Sequence, residues 1–191
     1  MAVSVLLVGV GGQGIISAAQ VLAEAALSAG YDVKTSEVHG MAQRGGSVQS
    51  MVRWGKEVFS PLIPEGEADY ILAFEMLEGL RHVHYLTPGG IMIVNRVRID
   101  PLPVLAGAAE YPPGIDLLLA DKLPGTVVLD AAGVGEQAGN RRAGGAAMLG
   151  VLSARLEFSP DVWEHALRRN VPKKALDANL RAFELALHLP P

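Results

Sequence analysis

Val3 to Leu27 reads VSVLLVGVGGQGIISAAQVLAEAAL, and this stretch decides the fold. Val3, Val5, Leu6, Leu7 and Val8 form a short apolar run of the kind a buried strand needs. The run breaks at Gly9-Val10-Gly11-Gly12-Gln13-Gly14. Apolar residues then recur at Ile15, Ala19, Leu22 and Ala26, the period of a helix with one buried face, while Ser17, Gln20, Glu24 and Ser28 take the other face. Strand, glycine turn and amphipathic helix are the surroundings in which a GxGxxG spacing acquires meaning. Gly9 lets the chain leave the strand where a Cβ would clash. Gly11 lets the backbone approach a bound group, and Gly14 lets the helix pack closely on the strand. The free N–H groups of the first helical turn carry about half a positive charge and suit a phosphate. The same spacing also serves a tight turn that binds nothing and only packs helix on sheet.

The 191 residues suffice for one well-buried domain spanning 1–191, and half of them are hydrophobic. The 22 glycines are spread along the chain rather than repeated. A net charge of −4 argues against non-specific binding to nucleic acid, which needs basic patches. There is no cysteine, so a disulfide, a thiolate nucleophile and a thiolate-ligated iron–sulfur cluster are all excluded from this chain. No basic leader precedes the first strand, and no apolar run reaches the roughly 18 to 20 residues that span a bilayer. The expectation is a soluble cytoplasmic protein without a membrane partner.

Downstream of the first helix, Ala29-Gly30 stops it, and Tyr31 to Ser36 reads as a second strand ending in Glu37. An acidic residue near this point in a dinucleotide-binding fold holds a ribose hydroxyl; an ordinary solvated carboxylate reads the same way. His39-Gly-Met-Ala-Gln-Arg-Gly-Gly-Ser47 has no apolar period. Arg44 beside Gly45-Gly46-Ser47 suits an anion held by a guanidinium and a nest of backbone N–H groups, or else forms a plain surface loop around a hydrogen-bonded His39. Val48 to Trp54 alternates like a strand, Gly55-Lys56-Glu57 reads as a turn, and Val58 to Ile63 reads as a returning strand. Those two strands make a predicted hairpin that interrupts the α/β rhythm.

The rhythm then resumes. Ala68 to Phe74 is a predicted strand ending at Glu75, Met76 to Leu86 a helix closed by Thr87-Pro88-Gly89-Gly90, and Ile91 to Val94 a strand ending at Asn95. Glu75 and Asn95 lie just past strand ends, where open α/β sheets bind ligands, but either also suits a cap. His82 and His84, two apart, are expected on different sides of the helix at the surface or in a groove. Ile99 to Gly114 reads as a wandering connection with an edge strand, Ile115 to Leu123 as a helix and Thr126 to Leu129 as a strand. Asn140-Arg141-Arg142-Ala143-Gly144-Gly145 is polar and basic, and precedes the apolar, small-residue stretch Ala146 to Leu156. Ser159 suits an N-cap before Pro160, and Leu176, Leu180, Phe183 and Leu187 form a last helical stripe.

Repeated βα units predict a doubly wound, mostly parallel, Rossmann-like α/β sheet with a short β-hairpin excursion and C-terminal helices. Its carboxyl-end loops gather the glycine turn, Glu37, Arg44 to Ser47, Glu75 and Asn95. The sequence holds no G-x-S-x-G, H-E-x-x-H or P-loop lysine motif, and no nucleophile with an oriented base. From the residues alone the edge reads as an anion or nucleotide pocket without a visible catalytic machine, in a free-standing NAD(P)- or flavin-binding protein or in a non-catalytic nucleotide-binding module.

Two stretches together, Gly9-Val-Gly-Gly-Gln-Gly-Ile15 and Glu37-Val-His-Gly-Met-Ala-Gln-Arg-Gly-Gly-Ser-Val48, resemble the gamma subunits or domains of 2-oxoacid:ferredoxin oxidoreductases, and most of all the small (beta) subunits that act on indolepyruvate. The resemblance extends over nearly the whole chain, through Asp69, Glu75, Gly89-Gly90, Asn95, Asp130 and Asn140. It implies oxidative decarboxylation of a 2-oxoacid with coenzyme A and ferredoxin. It further implies that thiamine diphosphate and [4Fe–4S] clusters sit on a larger partner subunit, and that this chain helps form the coenzyme A site. Self-association of the isolated chain as a dimer stays open. The sequence departs from the family pattern at Gly145, where an asparagine is expected before Met148-Leu149-Gly150.

Overall fold

The computed structural model describes residues 2–39 and 46–189. The predicted anion residues Arg44 and Gly45 lie outside the described residues, as do Gly40 to Gln43. Six strands form one sheet, β1 Val3–Val10, β2 Asp32–His39, β3 Ser47–Gly55, β4 Ala68–Ala73, β5 Leu86–Asn95 and β6 Val127–Leu129, in the order β2-β3-β1-β4-β5-β6. β1, β4, β5 and β6 run parallel, while β3 runs antiparallel to both β1 and β2. The sheet is therefore mostly parallel with one reversed strand, as the sequence predicts.

β1 lies at the centre because it can be covered on both faces. Val5, Leu6, Leu7 and Val8 are all fully buried, and a continuous apolar run is what a doubly covered strand requires. Val5 and Leu7 face one layer, with α1 Ile15–Ser28, α5 Ala131–Gln137, α6 Gly144–Ser153, α7 Pro160–Asn170 and α8 Leu176–Leu187. Leu6 and Val8 face the other, with α2 Met76–Arg81 and α4 Ile115–Lys122. Between β5 and α4 lies the short helix α3 Leu102–Leu105.

Five local expectations are corrected. The hairpin is formed by β2 and β3, not by β3 and Val58 to Ile63. Pro61 has no N–H to give a ladder, and Arg53 instead captures the carbonyls of Ser60 (3.4 Å) and Leu62 (2.8 Å), while Asp32 accepts the Val58 N–H at 2.8 Å. The helix expected to reach Leu86 ends at Arg81 and continues as a 3-10 turn, Val83–Tyr85. That tightening buries His82 and stacks its ring on His84 at 6.4 Å, so the two histidines share a side. Thr87 to Gly90 belongs to β5, whose register against β4 slips there around Gly89 at φ 84°. Among the described residues of the 99–114 connection there is a helical turn, α3, and no edge strand. Ser159 does occupy the N-cap of α7, but its side chain makes no capping hydrogen bond.

Two packing constraints hold the layers. At the crossing of α6 and α8, a Cβ on Gly150 would lie 2.3 Å from the Phe183 carbonyl oxygen and 3.1 Å from the Ala186 Cβ. Across the other layer, the buried Glu75 carboxyl accepts from the Glu78 N–H (2.9 Å), the Ile99 N–H (3.1 Å) and the Tyr111 hydroxyl (2.6 Å). Arg98 stacks over the Tyr111 ring at 4.4 Å, so the 96–111 connection is tied down near both of its ends.

Gly150→Ala is expected to lower stability by about 3 kcal/mol, because the clash is with backbone that has no rotamer to change; urea unfolding measures it. Burial, then the Glu75 hydrogen bond, raises the Tyr111 phenol well above the ordinary tyrosine range. The unfolded chain therefore loses its phenol proton first, near pH ~10, and the stability this group adds is present below that pH and drains away above it. The unfolding midpoint should fall as pH rises past about 10, and less steeply in Tyr111→Phe. Tyr70, raised chiefly by burial, accounts for a remainder.

Candidate functional site

The carboxyl edge between β1 and β4 is where helices leave the sheet in opposite directions, and open α/β sheets take ligands at such a point. Gln13 bridges it. Its Oε1 accepts the Val10 N–H at 2.7 Å, and its Nε2 donates to the Phe74 carbonyl at 2.7 Å. Asn95 donates to the same carbonyl at 3.2 Å, and its Oδ1 accepts the Ala131 N–H at 3.1 Å. One unbroken amide relay thus joins the ends of β1, β4 and β5 to the start of α5. Gly9 has to be glycine for this to form: a Cβ there would sit 2.7 Å from the Gln13 Oε1, 2.8 Å from the Phe74 Cβ and 2.9 Å from the Ile15 Cδ1.

Beyond the bridge, Gly12 at φ 96° and Gly14 at φ 82° turn the chain into α1. Gly14 is the N-cap and offers no side chain to the first helical turn. The N–H groups of Gly12, Gly14, Ile15, Ile16 and Ser17 have no acceptor among the described residues. A string of unpaired N–H groups at a helix start is an anion cradle. Two cavities of about 420 Å³ each open on either side of it. Gln13, Gly14, Arg142 and Gly145 line both. The first continues along α1 over Val21, Leu149, Leu167 and Pro172, with Asn140, Asn170, Lys174 and Asn179 around it. The second reaches Gly12, Asn95, Val97 and Arg141. Arg141 is paired with Glu136 at 2.9 Å, whereas the Arg142 side chain makes no ion pair with the described residues. Each cavity is lined by two basic side chains, Arg142 with Lys174 in the first and Arg142 with the paired Arg141 in the second, and the first carries the apolar slot.

The residues singled out from the sequence scatter around this edge. Gly12, Gln13, Gly14 and Asn95 line a cavity together; Gly9 and Gly11 lie behind it. The Gly11 N–H donates to the Gly46 carbonyl at 3.0 Å, and the Ser47 hydroxyl turns inward to the Glu78 carboxyl at 2.5 Å. Glu75 faces away, into Tyr111. Glu37 pairs with Ser50, which pairs with Leu7, so Glu37 stands level with mid-β1 and two strand spacings, about 10 Å, to the side. It lines a separate cleft of about 330 Å³ with Gln20, Glu24 and Thr35. The reversed β3, inserted between β1 and β2, is the physical reason. Arg142, Gly145, Lys174 and Glu78 were not singled out as site residues. The basic Asn140-Arg141-Arg142 run before Gly144-Gly145 was visible, but only the fold brings it against a turn some 130 residues earlier. Among the described residues no three His, Asp or Glu side chains gather as a metal site, and no helix is long and apolar enough to cross a membrane.

Residues 4–189 match the family described as pyruvate ferredoxin/flavodoxin oxidoreductase. The chain is 41% identical over 189 residues to the indolepyruvate oxidoreductase subunit IorB of Thermococcus kodakarensis, covering 96% of this chain and 94% of the relative. It is 38% identical over 189 residues to IorB of Archaeoglobus fulgidus, at 97% and 94% coverage. The solved pyruvate oxidoreductase subunit PORC of Thermotoga maritima superposes with a TM-score of 0.72 at 25% identity, over 97% of this chain and 94% of that one. The keto/oxoacid ferredoxin oxidoreductase gamma subunit of Geobacter sulfurreducens shares the fold, with a TM-score of 0.72 at 24% identity over 98% of this chain and 99% of that one. The glycine turn and the stretch after β2 had already pointed to this family, and the chain belongs to it: the pyruvate ferredoxin/flavodoxin oxidoreductase family, as a subunit of a 2-oxoacid:ferredoxin oxidoreductase.

Proposed function

We propose that this chain supplies the coenzyme A-holding crevice of an enzyme that converts indolepyruvate or a related 2-oxoacid, coenzyme A and oxidised ferredoxin into an acyl-CoA, carbon dioxide and reduced ferredoxin. The observation that carries the reading is the uncapped first turn of α1, with five N–H groups lacking an acceptor among the described residues and Arg142 beside them. These donors fit a pyrophosphate, and the adjoining apolar slot with its asparagines fits an amide-bearing aliphatic arm. Coenzyme A brings a thiol to take up the acyl group. The part of this chain is to bind and orient that molecule, since no nucleophile with an oriented base is found near the crevice among the described residues.

Thiamine diphosphate and [4Fe–4S] clusters belong, in this reading, to the larger partner subunit, which also meets ferredoxin. A chain without cysteine offers a cluster no thiolate ligand. The free-standing NAD(P)- or flavin-binding alternative loses its acidic ribose partner, because Glu37 stands beside mid-β1 rather than at the glycine turn.

The isolated chain should not reduce viologen dye with any 2-oxoacid. Co-expression with the larger subunit should give dye reduction that depends on both indolepyruvate and coenzyme A; turnover by the chain alone would reject the proposal. In that complex Arg142→Ala should weaken coenzyme A about tenfold by calorimetry, the loss of one charge-assisted contact. Gly145→Asn should fold, since the nearest neighbour to its Cβ is Phe74 Cε1 at 3.7 Å, and should narrow both cavities and alter coenzyme A affinity without changing the thermal midpoint by more than a few degrees. NADH added to the pure chain should produce no saturable fluorescence change at micromolar concentration.

A further inference from the structure

We propose that Glu78 is a positioning residue for the glycine turn, acting through Ser47 and the Gly46 carbonyl; the inference rests on the coenzyme A reading above. Glu78 sits on α2, on the sheet face opposite α1, and is 3% exposed. Its Oε2 accepts the Ser47 hydroxyl at 2.5 Å and its Oε1 accepts Arg81 at 2.6 Å. A carboxyl in such a place is costly to desolvate, and an apolar side chain would fill the same space without that penalty, so packing alone does not explain it.

The grip is double. From the next turn of the chain, His82 lies 2.8 Å by its Nδ1 from the Glu78 carbonyl oxygen, and 2.6 Å by its Nε2 from the Gln49 amide nitrogen. Ser47 and Gln49 are two apart on β3 and therefore project from one face of it, toward α2. The start of β3 is thus fastened at two successive positions on that face.

What is fastened there is the backbone beside the anion cradle. Ser47 pairs with Val10, the last residue of β1, and Gly46 continues the contact by accepting the Gly11 N–H at 3.0 Å. Holding Ser47 fixes the Gly46 carbonyl, which commits the Gly11 donor and sets the path of the turn. The unpaired N–H groups of Gly12 and of Gly14 to Ser17 are then held to one path. A group that only shapes the cradle acts on the affinity for the anion and leaves the redox chemistry of the partner subunit untouched.

In the complex with the larger subunit, Ser47→Ala should raise both the KM and the calorimetric Kd for coenzyme A about five- to tenfold, with kcat within twofold of the parent. Ser47→Thr, which keeps the hydroxyl, should restore both values. Glu78→Gln, which keeps an acceptor for Ser47 but replaces the oxygen facing Arg81, should fall between. Two outcomes overturn the inference: a lower thermal midpoint with unchanged KM and Kd for coenzyme A, which would make the latch purely structural, or a fall in kcat at unchanged Kd. Failure of the underlying reading looks different, because the unsubstituted complex would then show no coenzyme A dependence at all.

Discussion

The carbonyl of Phe74 is the point on which the carboxyl edge depends. It accepts two side-chain donors, Gln13 from the glycine turn and Asn95 from the end of β5. Few arrangements tie a turn, two strand ends and a helix start through one oxygen. The arrangement in turn dictates Gly9, since any Cβ there would occupy the space the Gln13 amide needs. With Gln13 turned back into the fold, the usual ligand position between the central strands is bridged by the protein itself. The open space lies outward, at the α1 start and on the α6 side, where the two cavities are.

α2 organises the opposite side although it is only six residues long. Two buried carboxyls, Glu75 and Glu78, stand three apart on and before it, and each holds a different piece of irregular chain. Glu75 ties the 96–111 connection through Ile99 and Tyr111, and Glu78 ties the start of β3 through Ser47. Loops cannot be held by hydrophobic burial alone, because their backbone groups need partners. Placing acceptors on a short helix wedged between them satisfies that need without extra secondary structure. The apolar layer around Leu6, Val8, Ile71 and Met92 closes over the same helix.

Where pattern and structure agree, the cause is local. β1, α1 and α8 were legible because their apolar periods are uninterrupted, and glycine marks the end of β1 and of α1. The reversal of β3 was not legible: Val48 to Trp54 reads as a strand, but its direction and its neighbours depend on which other strand it meets. Val58 to Ile63 has the composition of a strand and is none, because Arg53 and Asp32 take up its polar groups and Pro61 withholds one. The expectation that His82 and His84 take different sides, at the surface or in a groove, failed for a related reason. The helix ended five residues early, and a 3-10 turn carried the ring inward. At the site, the glycine turn was legible and its cationic wall was not. Arg142 and Gly145 carry no signal that links them to Gly14; the packing of α6 against α1 supplies it.

The inserted strand has a consequence that reaches function. A dinucleotide-binding sheet sets its second parallel strand directly beside the first, so that the acid at its tip can meet the ribose of a nucleotide whose phosphates lie on α1. Here β3 occupies that place, and Glu37 is displaced both sideways and back along the sheet to the level of Leu7. The glycine turn keeps its unpaired donors while the second half of a dinucleotide site is dismantled. What survives is a cradle for an anion, flanked on the α6 side by Arg142, Lys174 and an apolar slot rather than by an acid. That asymmetry favours a ligand that is anionic at one end and a neutral, elongated chain at the other. On the proposed reading, the turn serves as a holder, and the strand beside it determines what is held.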